Sequence, residues 1–213
     1  MTTPALPPGP SPTPPTAAST PTLAPSLPNA PPTFPFPPIY AFPPFFTLQP
    51  SPTTLSSQLS SWSALIQSYC RHHRIFALTL VDALATPLFN NTSISRKLSL
   101  ADARRVLNWM ASAEGGHRAE WITTGKGGGE AGRCWVFWKR PEEWAAVLEE
   151  WVERTAQKGS VVTLYEISES DVTRREEFHG MDGELLSRSL GVCVKRGKAQ
   201  IFGGEGSEGV KFF

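Results

Sequence analysis

The stretch "ALTLVDA", residues 77–83, is matched 84 residues later by "VVTLYEI", residues 161–167. Both stretches are short, apolar and rich in Val, Leu and Thr, which favours a short β-strand at each position. Two strands of the same kind at this separation raise the question of whether their surroundings are repeated as well.

The segments around the two stretches are repeated in the same order. An amphipathic helix precedes each one, with apolar positions at Trp62, Leu65, Ile66 and Tyr69 in the first copy and at Trp144, Val147, Leu148 and Trp151 in the second. A later helix carries "RVL" (105–107) and then "RSL" (188–190), and a strand carries "RAEWI" (118–122) and then "KAQIF" (198–202). The shifts, 80 to 84 residues, stay nearly constant and indicate an internal duplication.

Each copy ends in a predicted β-hairpin. In the first, "RAEWITT" (118–124) and "CWVFWKR" (133–139) flank the glycine-rich turn "GKGGGEAG", and in the second a glycine turn leads into "GVKFF" (209–213). The order helix, strand, helix, helix, hairpin is that of a winged helix. We therefore predict an α+β fold of two tandem winged-helix domains, residues 54–140 and 141–213. Trp62, Trp144 and Trp151 lie on the apolar stripes of the first helices and are expected to be packed. Trp135 and Trp138 face opposite sides of their strand, which leaves one of them available for exposure.

The N-terminal region has a different composition. Nineteen of the 21 prolines lie within residues 1–52, and no charged residue precedes Arg71. Residues 1–33 offer little area to bury, so we predict a disordered Pro/Thr/Ser tail with polyproline II character. Residues 34–50 keep the prolines and add aromatic side chains, and they are predicted to form a docking arm.

The arm contains two Pro-Pro-x-aromatic units, "PPIY" (37–40) and "PPFF" (43–46). PPxY is a ligand motif of WW domains, which grip proline and aromatic rings on an extended polyproline II spine. The sequence therefore predicts that the arm displays its aromatic rings to a partner. A WW-domain-binding adaptor of a ubiquitin ligase is one function that would use them.

The cysteine, histidine and glycine patterns of the sequence do not indicate an enzyme or a cofactor site. Three cysteines about sixty residues apart form neither a disulfide framework nor a metal site, and the four histidines lack metal-ligand spacing. The glycine-rich turn lacks the ending of a phosphate-binding loop. We expect no catalytic residues, no cofactor and no metal. With neither a secretory signal nor a membrane-spanning run, we expect a cytoplasmic protein.

Charge separates the two predicted domains. Residues 71–140 carry a net charge of +6 and residues 141–213 a net charge of −5. A winged-helix regulator that binds nucleic acid is the second alternative, with Arg104, Arg105 and Asn108 in the first domain and Arg188, Lys195 and Arg196 in the second as its readers. The acidic second domain argues against it, because phosphate contacts dominate nucleic-acid affinity.

Six blocks in order, "FPPFFTLQP" (42–50), "LFNN" (88–91), "KRPEEWA" (139–145), "TLYEI" (163–167), "EFHGMD" (177–182) and "GVKFF" (209–213), resemble the vacuolar protein sorting-associated protein 25 family, the small subunit of ESCRT-II. The resemblance implies two winged-helix domains without catalytic activity. It also implies a role in multivesicular-body sorting of ubiquitinated cargo, peripherally at endosomal membranes, with two copies of the chain in each complex.

The resemblance also implies two partner sites. The arm would dock to the other two ESCRT-II subunits, and the matching positions are Pro37, Pro38, Tyr40, Pro43, Pro44, Phe45 and Phe46. The second domain would bind the N-terminal helix of an ESCRT-III subunit. Helical spacing places Glu142, Glu149 and Glu153 on one side of the first helix of that domain. The resemblance implies that the ESCRT-III helix is basic, so we expect these glutamates to be exposed and to contact it. The alternative is that they form only a solvated face. Neither nucleic-acid binding nor membrane insertion is expected.

Overall fold

The computed structural model describes residues 33–123, 130–203 and 208–213. Residues 34–213 belong to one compact unit. The predicted tail, apart from Thr33, most of the glycine-rich turn and the tip of the second hairpin lie outside the described residues. In the described part of the chain, no helix is both long enough and apolar enough to cross a membrane.

The first half begins with a long helix and ends in a hairpin. Its elements are α1 (Pro52–His73), β1 (Ala77–Thr79), α2 (Leu80–Ala83), β2 (Asn90–Asn91), β3 (Arg96–Lys97), α3 (Leu100–Ala111), β4 (Ala119–Thr123) and β5 (Glu130–Val136). The short β2–β3 hairpin was not predicted. The other three strands form one antiparallel sheet in the order β1-β5-β4.

The second half repeats this arrangement. Its elements are α4 (Pro141–Arg154), β6 (Val161–Thr163), α5 (Leu164–Ser168), α6 (Gly183–Lys195), β7 (Ala199–Phe202) and β8 (Gly209–Phe212). Its sheet has the order β6-β8-β7, in which the last strand again lies in the centre. The predicted mixture of helix and sheet and the predicted repeat of element order are both present.

The repeated heptapeptides are not strands throughout. Only Ala77–Thr79 and Val161–Thr163 are strand, and a short helix follows each of them. In the second copy the Thr163 hydroxyl accepts a hydrogen bond from the Glu166 amide at 3.1 Å, and the Glu166 carboxylate accepts one from the Thr163 amide at 2.7 Å. This reciprocal capping starts a helix where the apolar pattern alone predicted a continuing strand.

Other helices also begin at residues suited to a helix start. The Ser99 hydroxyl accepts a hydrogen bond from the Asp102 amide at 3.0 Å and caps α3. Pro141 lies in the first turn of α4. The Asp182 carboxylate accepts hydrogen bonds from the first amides of α6.

The sheet of the first half is covered on both faces. Cys134 and Val136 point into the core of the first half, whereas Trp135 and Phe137 point into the core of the second half, as does Phe76. The prediction that one of the two strand tryptophans is exposed is wrong. Trp135 is 2% exposed, and Trp138 packs between Phe76 and Trp144. The two predicted domains therefore share apolar contacts across their boundary.

Polar side chains reinforce this boundary. Glu177 of the second half accepts hydrogen bonds from Arg71 Nε at 2.8 Å, from Trp138 Nε1 at 3.1 Å and from the Lys139 ammonium. Arg188 of α6 pairs with Glu120 at 2.8 Å and lies over the Trp135 ring at 4.3 Å. These contacts tie the second half to the sheet and to the end of α1 in the first half.

Phe76→Ala tests the shared core. Phe76 is 3% exposed and packs on the aromatic side chains of the second half. Its loss should lower the free energy of unfolding by about 3–5 kcal/mol, measured by urea unfolding. Val81→Ala is the matched control, because Val81 is 67% exposed. If Phe76→Ala changed stability as little as Val81→Ala does, the two halves would not depend on a common core.

Candidate partner-docking site

The arm folds into two consecutive turns of 3-10 helix, Pro38–Ala41 and Pro43–Phe46. The Tyr40 amide donates to the Pro37 carbonyl at 2.9 Å, and the Phe45 amide donates to the Phe42 carbonyl at 3.0 Å. Proline suits the first turn of each helix because its fixed φ is close to the helical value and its missing N–H is not needed there. The predicted polyproline II spine is therefore wrong for residues 38–46.

Apart from Phe42, the aromatic rings of the arm pack inward, against α1 and against one another. The Phe45 ring stacks on the Trp62 ring at a centroid distance of 4.3 Å with an interplanar angle of 8°, and the Phe46 ring meets Trp62 edge-on at 5.6 Å. The Tyr40 ring stacks on Phe36 at 4.1 Å. Tyr40, Phe45 and Phe46 are 7%, 2% and 3% exposed, so they belong to the core of the first half.

A buried glutamine on α1 holds the backbone of the arm. Gln58 Nε2 donates to the Phe45 carbonyl at 2.8 Å and to the Thr47 carbonyl at 3.0 Å. Gln58 Oε1 accepts from the Gln49 amide at 3.0 Å. Trp62 Nε1 also donates to the Phe45 carbonyl, at 3.1 Å. These bonds satisfy backbone groups that burial of the arm removes from water.

A second set of bonds holds the other turn. The Tyr40 hydroxyl donates to the Pro87 carbonyl, and Asn91 Nδ2 donates to the Tyr40 carbonyl at 2.8 Å. Burial raises the pKa of Tyr40 to about 12, so the phenol stays neutral and remains a donor at physiological pH. The arm is thus fastened at both turns, to α1 and to the loop that precedes β2.

The outer surface of the arm is apolar and grooved. Ile39 and Phe42 point outward and are 39% and 58% exposed. A groove of about 370 Å³ on one side of Ile39 is bounded by Phe42, Pro44 and the start of α1. A groove of about 460 Å³ on its other side is bounded by Phe34, Pro37 and the middle of α1. We call Ile39, Phe42 and these two grooves the arm surface.

The arm surface carries no charge, because no charged residue precedes Arg71. The face that α1 contributes to it has small or hydroxyl side chains, namely Thr53, Thr54, Ser57, Ser61, Ala64 and Ser68. Small side chains on a helix let another backbone approach closely. This chemistry suits an apolar segment of another protein.

The seven predicted docking residues lie together but face different ways. Pro38, Pro43 and Pro44 are exposed and Pro37 is half-buried. The side chains of Tyr40, Phe45 and Phe46 are inside, so the prediction that the arm displays these rings is wrong. A WW domain would need Tyr40 on an extended spine, and in this fold Tyr40 is neither extended nor exposed.

The three predicted glutamates do share one face of α4, but that face is not purely acidic. Glu149 is half-buried, with its carboxylate 3.4 Å from Arg196 Nη1, and Glu153 lies 2.5 Å from Lys158 Nζ. The hydrogen bond from Lys158 lowers the pKa of Glu153. Glu142 and Glu153 are exposed as predicted, whereas Glu149 is not.

Three of the six residues predicted to read nucleic acid make hydrogen bonds or ion pairs within the chain. Arg188 and Arg196 pair with Glu120 and Glu149. Asn108 accepts a hydrogen bond from Trp121 Nε1 at 2.7 Å. A nucleophilic role for the cysteines is also disfavoured, because all three are buried thiols and burial raises their pKa, to about 12 for Cys134 and Cys193.

Sequence reasoning missed Gln58 and Asn91, the two polar side chains that fix the arm. Gln58 is 7% exposed although it follows a run of polar residues in α1. A signal was present, because Gln58 lies one residue before Leu59 and four before Trp62, at the edge of the apolar stripe. Asn91 lies in the block "LFNN".

The chain was compared with known proteins. A family model described as an ESCRT-II complex subunit matches residues 39–182. The vacuolar protein-sorting-associated protein 25 of Danio rerio is 41% identical over 165 residues, covering 78% of this chain and 90% of that protein. The crystal structure of subunit VPS25 of the endosomal trafficking complex ESCRT-II gives a TM-score of 0.72 at 28% identity, covering 83% of this chain and 98% of that chain. A crystal structure of endosomal complex ESCRT-II (VPS22/VPS25/VPS36) gives 0.70 at 29% identity, with the same coverage.

Phe45→Ala should destabilise the whole first half. Removing this buried ring leaves a cavity against Trp62 and should lower the free energy of unfolding by about 3–5 kcal/mol, measured by urea unfolding. Phe42→Ala is the matched control in the same arm. Because the Phe42 side chain is 58% exposed, its loss should change stability by less than about 1 kcal/mol. Equal stability of the two variants would contradict the inward packing.

Proposed function

Since this chain belongs to the ESCRT-II complex subunit family, we propose that it acts as the small, non-catalytic subunit of an ESCRT-II complex. In this role the arm surface docks onto the other two kinds of subunit, with two copies of the chain in each complex. The observation that carries the proposal is the uncharged, grooved surface around Ile39 and Phe42, which is held rigid from beneath by Trp62 and Gln58.

The seven docking positions divide into two roles. Pro37, Pro38, Pro43 and Pro44 lie at or near the surface and meet the partner directly, together with Ile39 and Phe42. Tyr40, Phe45 and Phe46 anchor the arm from inside and set the positions of the exposed residues. Little conformational entropy is lost on docking when the contact surface is already ordered, which favours binding.

We further propose that each half is a winged-helix domain, with boundaries at residues 54–140 and 141–213. The support is the shared order of three helices and three strands and the shared position of the last strand at the centre of each sheet. The second domain recruits ESCRT-III, and the complex sorts ubiquitinated cargo into multivesicular bodies from the cytoplasmic side of the endosomal membrane. The chain reaches that membrane through its partners.

The glutamate face of α4 is the surface that we assign to the ESCRT-III helix. The ion pairs that Glu149 and Glu153 make within the chain lie at the surface, where such pairs contribute little stability. A basic helix can therefore replace Lys158 as the partner of Glu153 and approach Glu142 at the same time. The contact would be electrostatic and would act mainly on the rate of association.

The arm surface is tested by replacing Ile39 and Phe42 together with alanine. Each apolar side chain buried at the interface contributes about 1.5–3 kcal/mol, so the double variant should dock roughly a hundredfold or more weakly. Calorimetric titration against the two partner subunits measures the loss. Val81→Ala removes an exposed valine outside the arm and should leave affinity unchanged. Unaltered docking by the double variant would refute the proposed function.

The glutamate face is tested by charge reversal. Glu142→Lys with Glu153→Lys should slow association with the N-terminal helix of an ESCRT-III subunit at low ionic strength, with a smaller effect at high ionic strength. Stopped-flow fluorescence measures the rate. Glu114→Lys reverses an exposed charge in the first half and is the control. If the two reversals behave alike, the α4 face is not the contact.

A further inference from the structure

A Ser-Pro dipeptide, Ser51-Pro52, lies between the arm and α1. Serine or threonine followed by proline is the minimal acceptor of proline-directed protein kinases. Within the described residues, Thr86-Pro87 is the other such pair. Both pairs consist of a hydroxyl residue followed by proline. They differ in how accessible the hydroxyl is to a kinase.

Ser51 is more accessible than Thr86. Ser51 and both of its neighbours are exposed, and its backbone is extended, with φ −66° and ψ 125°. Its hydroxyl has no hydrogen-bond partner among the described residues. Thr86 is half-buried, and its hydroxyl donates to the Ala83 carbonyl at 2.7 Å. Pro87 is held by the Tyr40 hydroxyl.

Ser51 also lies at the rim of the arm surface. Gln49 and Thr53, two residues to either side of it, both border the groove of about 370 Å³. A partner that fills this groove therefore contacts residues two positions from Ser51 on each side. The stretch of chain from residue 33 to residue 70 contains no lysine or arginine.

We propose that Ser51 is the acceptor of a proline-directed protein kinase and that its phosphorylation weakens docking of the arm surface, a regulatory step that rests on the proposed function. The γ-phosphoryl group of ATP is transferred to Ser51 Oγ. The bond between the γ-phosphorus and the bridging oxygen breaks, a new P–O bond forms, ADP leaves, and the hydroxyl proton is released.

The effect follows from the chemistry of the rim. A phosphoserine carries about −1.5 to −2 charges at neutral pH. Covering it with an apolar partner strips water from this charge, which disfavours the complex. The fold itself is not harmed, because a negative charge at the start of α1 interacts favourably with the helix dipole. Phosphorylation therefore lowers affinity without lowering stability.

The experiment treats the full chain and its Ser51→Ala variant with a proline-directed kinase, ATP and Mg²⁺. Peptide mapping by mass spectrometry then locates the phosphate. We expect phosphate on Ser51 and none on Thr86. Four more Ser/Thr-Pro pairs lie within residues 1–32. Because both proteins carry those pairs, the variant controls for any phosphate added there. Absence of phosphate from Ser51 would overturn the proposal.

Docking is then measured by calorimetric titration against the two partner subunits. Treated chain should bind at least about tenfold more weakly than untreated chain, whereas treated and untreated Ser51→Ala should bind equally. Equal affinity of treated and untreated chain, with Ser51 fully phosphorylated, would overturn the regulatory role. Failure of the untreated chain to dock would instead overturn the proposed function, and the mapping would still decide whether Ser51 is an acceptor.

Discussion

The stacking of Phe45 on Trp62 is the interaction on which the arm surface depends. The Trp62 side chain is fully buried, and its ring and its Nε1–H hold the Phe45 ring and carbonyl at the same time. Phe45 and Trp62 therefore make both an aromatic–aromatic contact and a hydrogen bond with each other. Once Phe45 is fixed, the short turns on either side have little freedom, and Ile39 and Phe42 are left pointing outward. The same residue pair thus stabilises the first half and shapes its outer surface.

The covered sheet gives the molecule a second constraint. Side chains alternate along β5, so Cys134 and Val136 enter one core and Trp135 and Phe137 enter the other. The two halves are consequently joined through a sheet rather than through a flexible linker. Glu177 adds hydrogen bonds from three side chains at the same boundary. The arm surface and the α4 face are therefore held at a fixed separation.

The element order was predicted well, because helix periodicity depends on residues close in sequence and because the repeat presents most elements twice. The arm was predicted poorly. A proline-rich segment with aromatic residues has the same composition whether its rings are displayed or packed, and the decision rests with Gln58 and Trp62, which are 13 and 17 residues from Phe45. The continuous apolar run at 134–138 is typical of a strand buried on both faces, but our prediction left one of its two tryptophans exposed. The α4 face was predicted to consist of exposed glutamates, and the ion pair of Glu149 was missed. Its partner, Arg196, comes from α6 and is distant in sequence, as the partners of the arm are.

Amide hydrogen exchange on the isolated chain tests most directly whether the arm is folded before any partner binds. The amides of Tyr40, Phe42, Phe45 and Thr47 donate the bonds that define the two turns. The account predicts that these amides are protected from exchange in the free chain, at a level comparable to the buried part of α1. Exchange of residues 39–47 at the rate of an unfolded peptide, with protection gained only when the partner subunits are added, would contradict it.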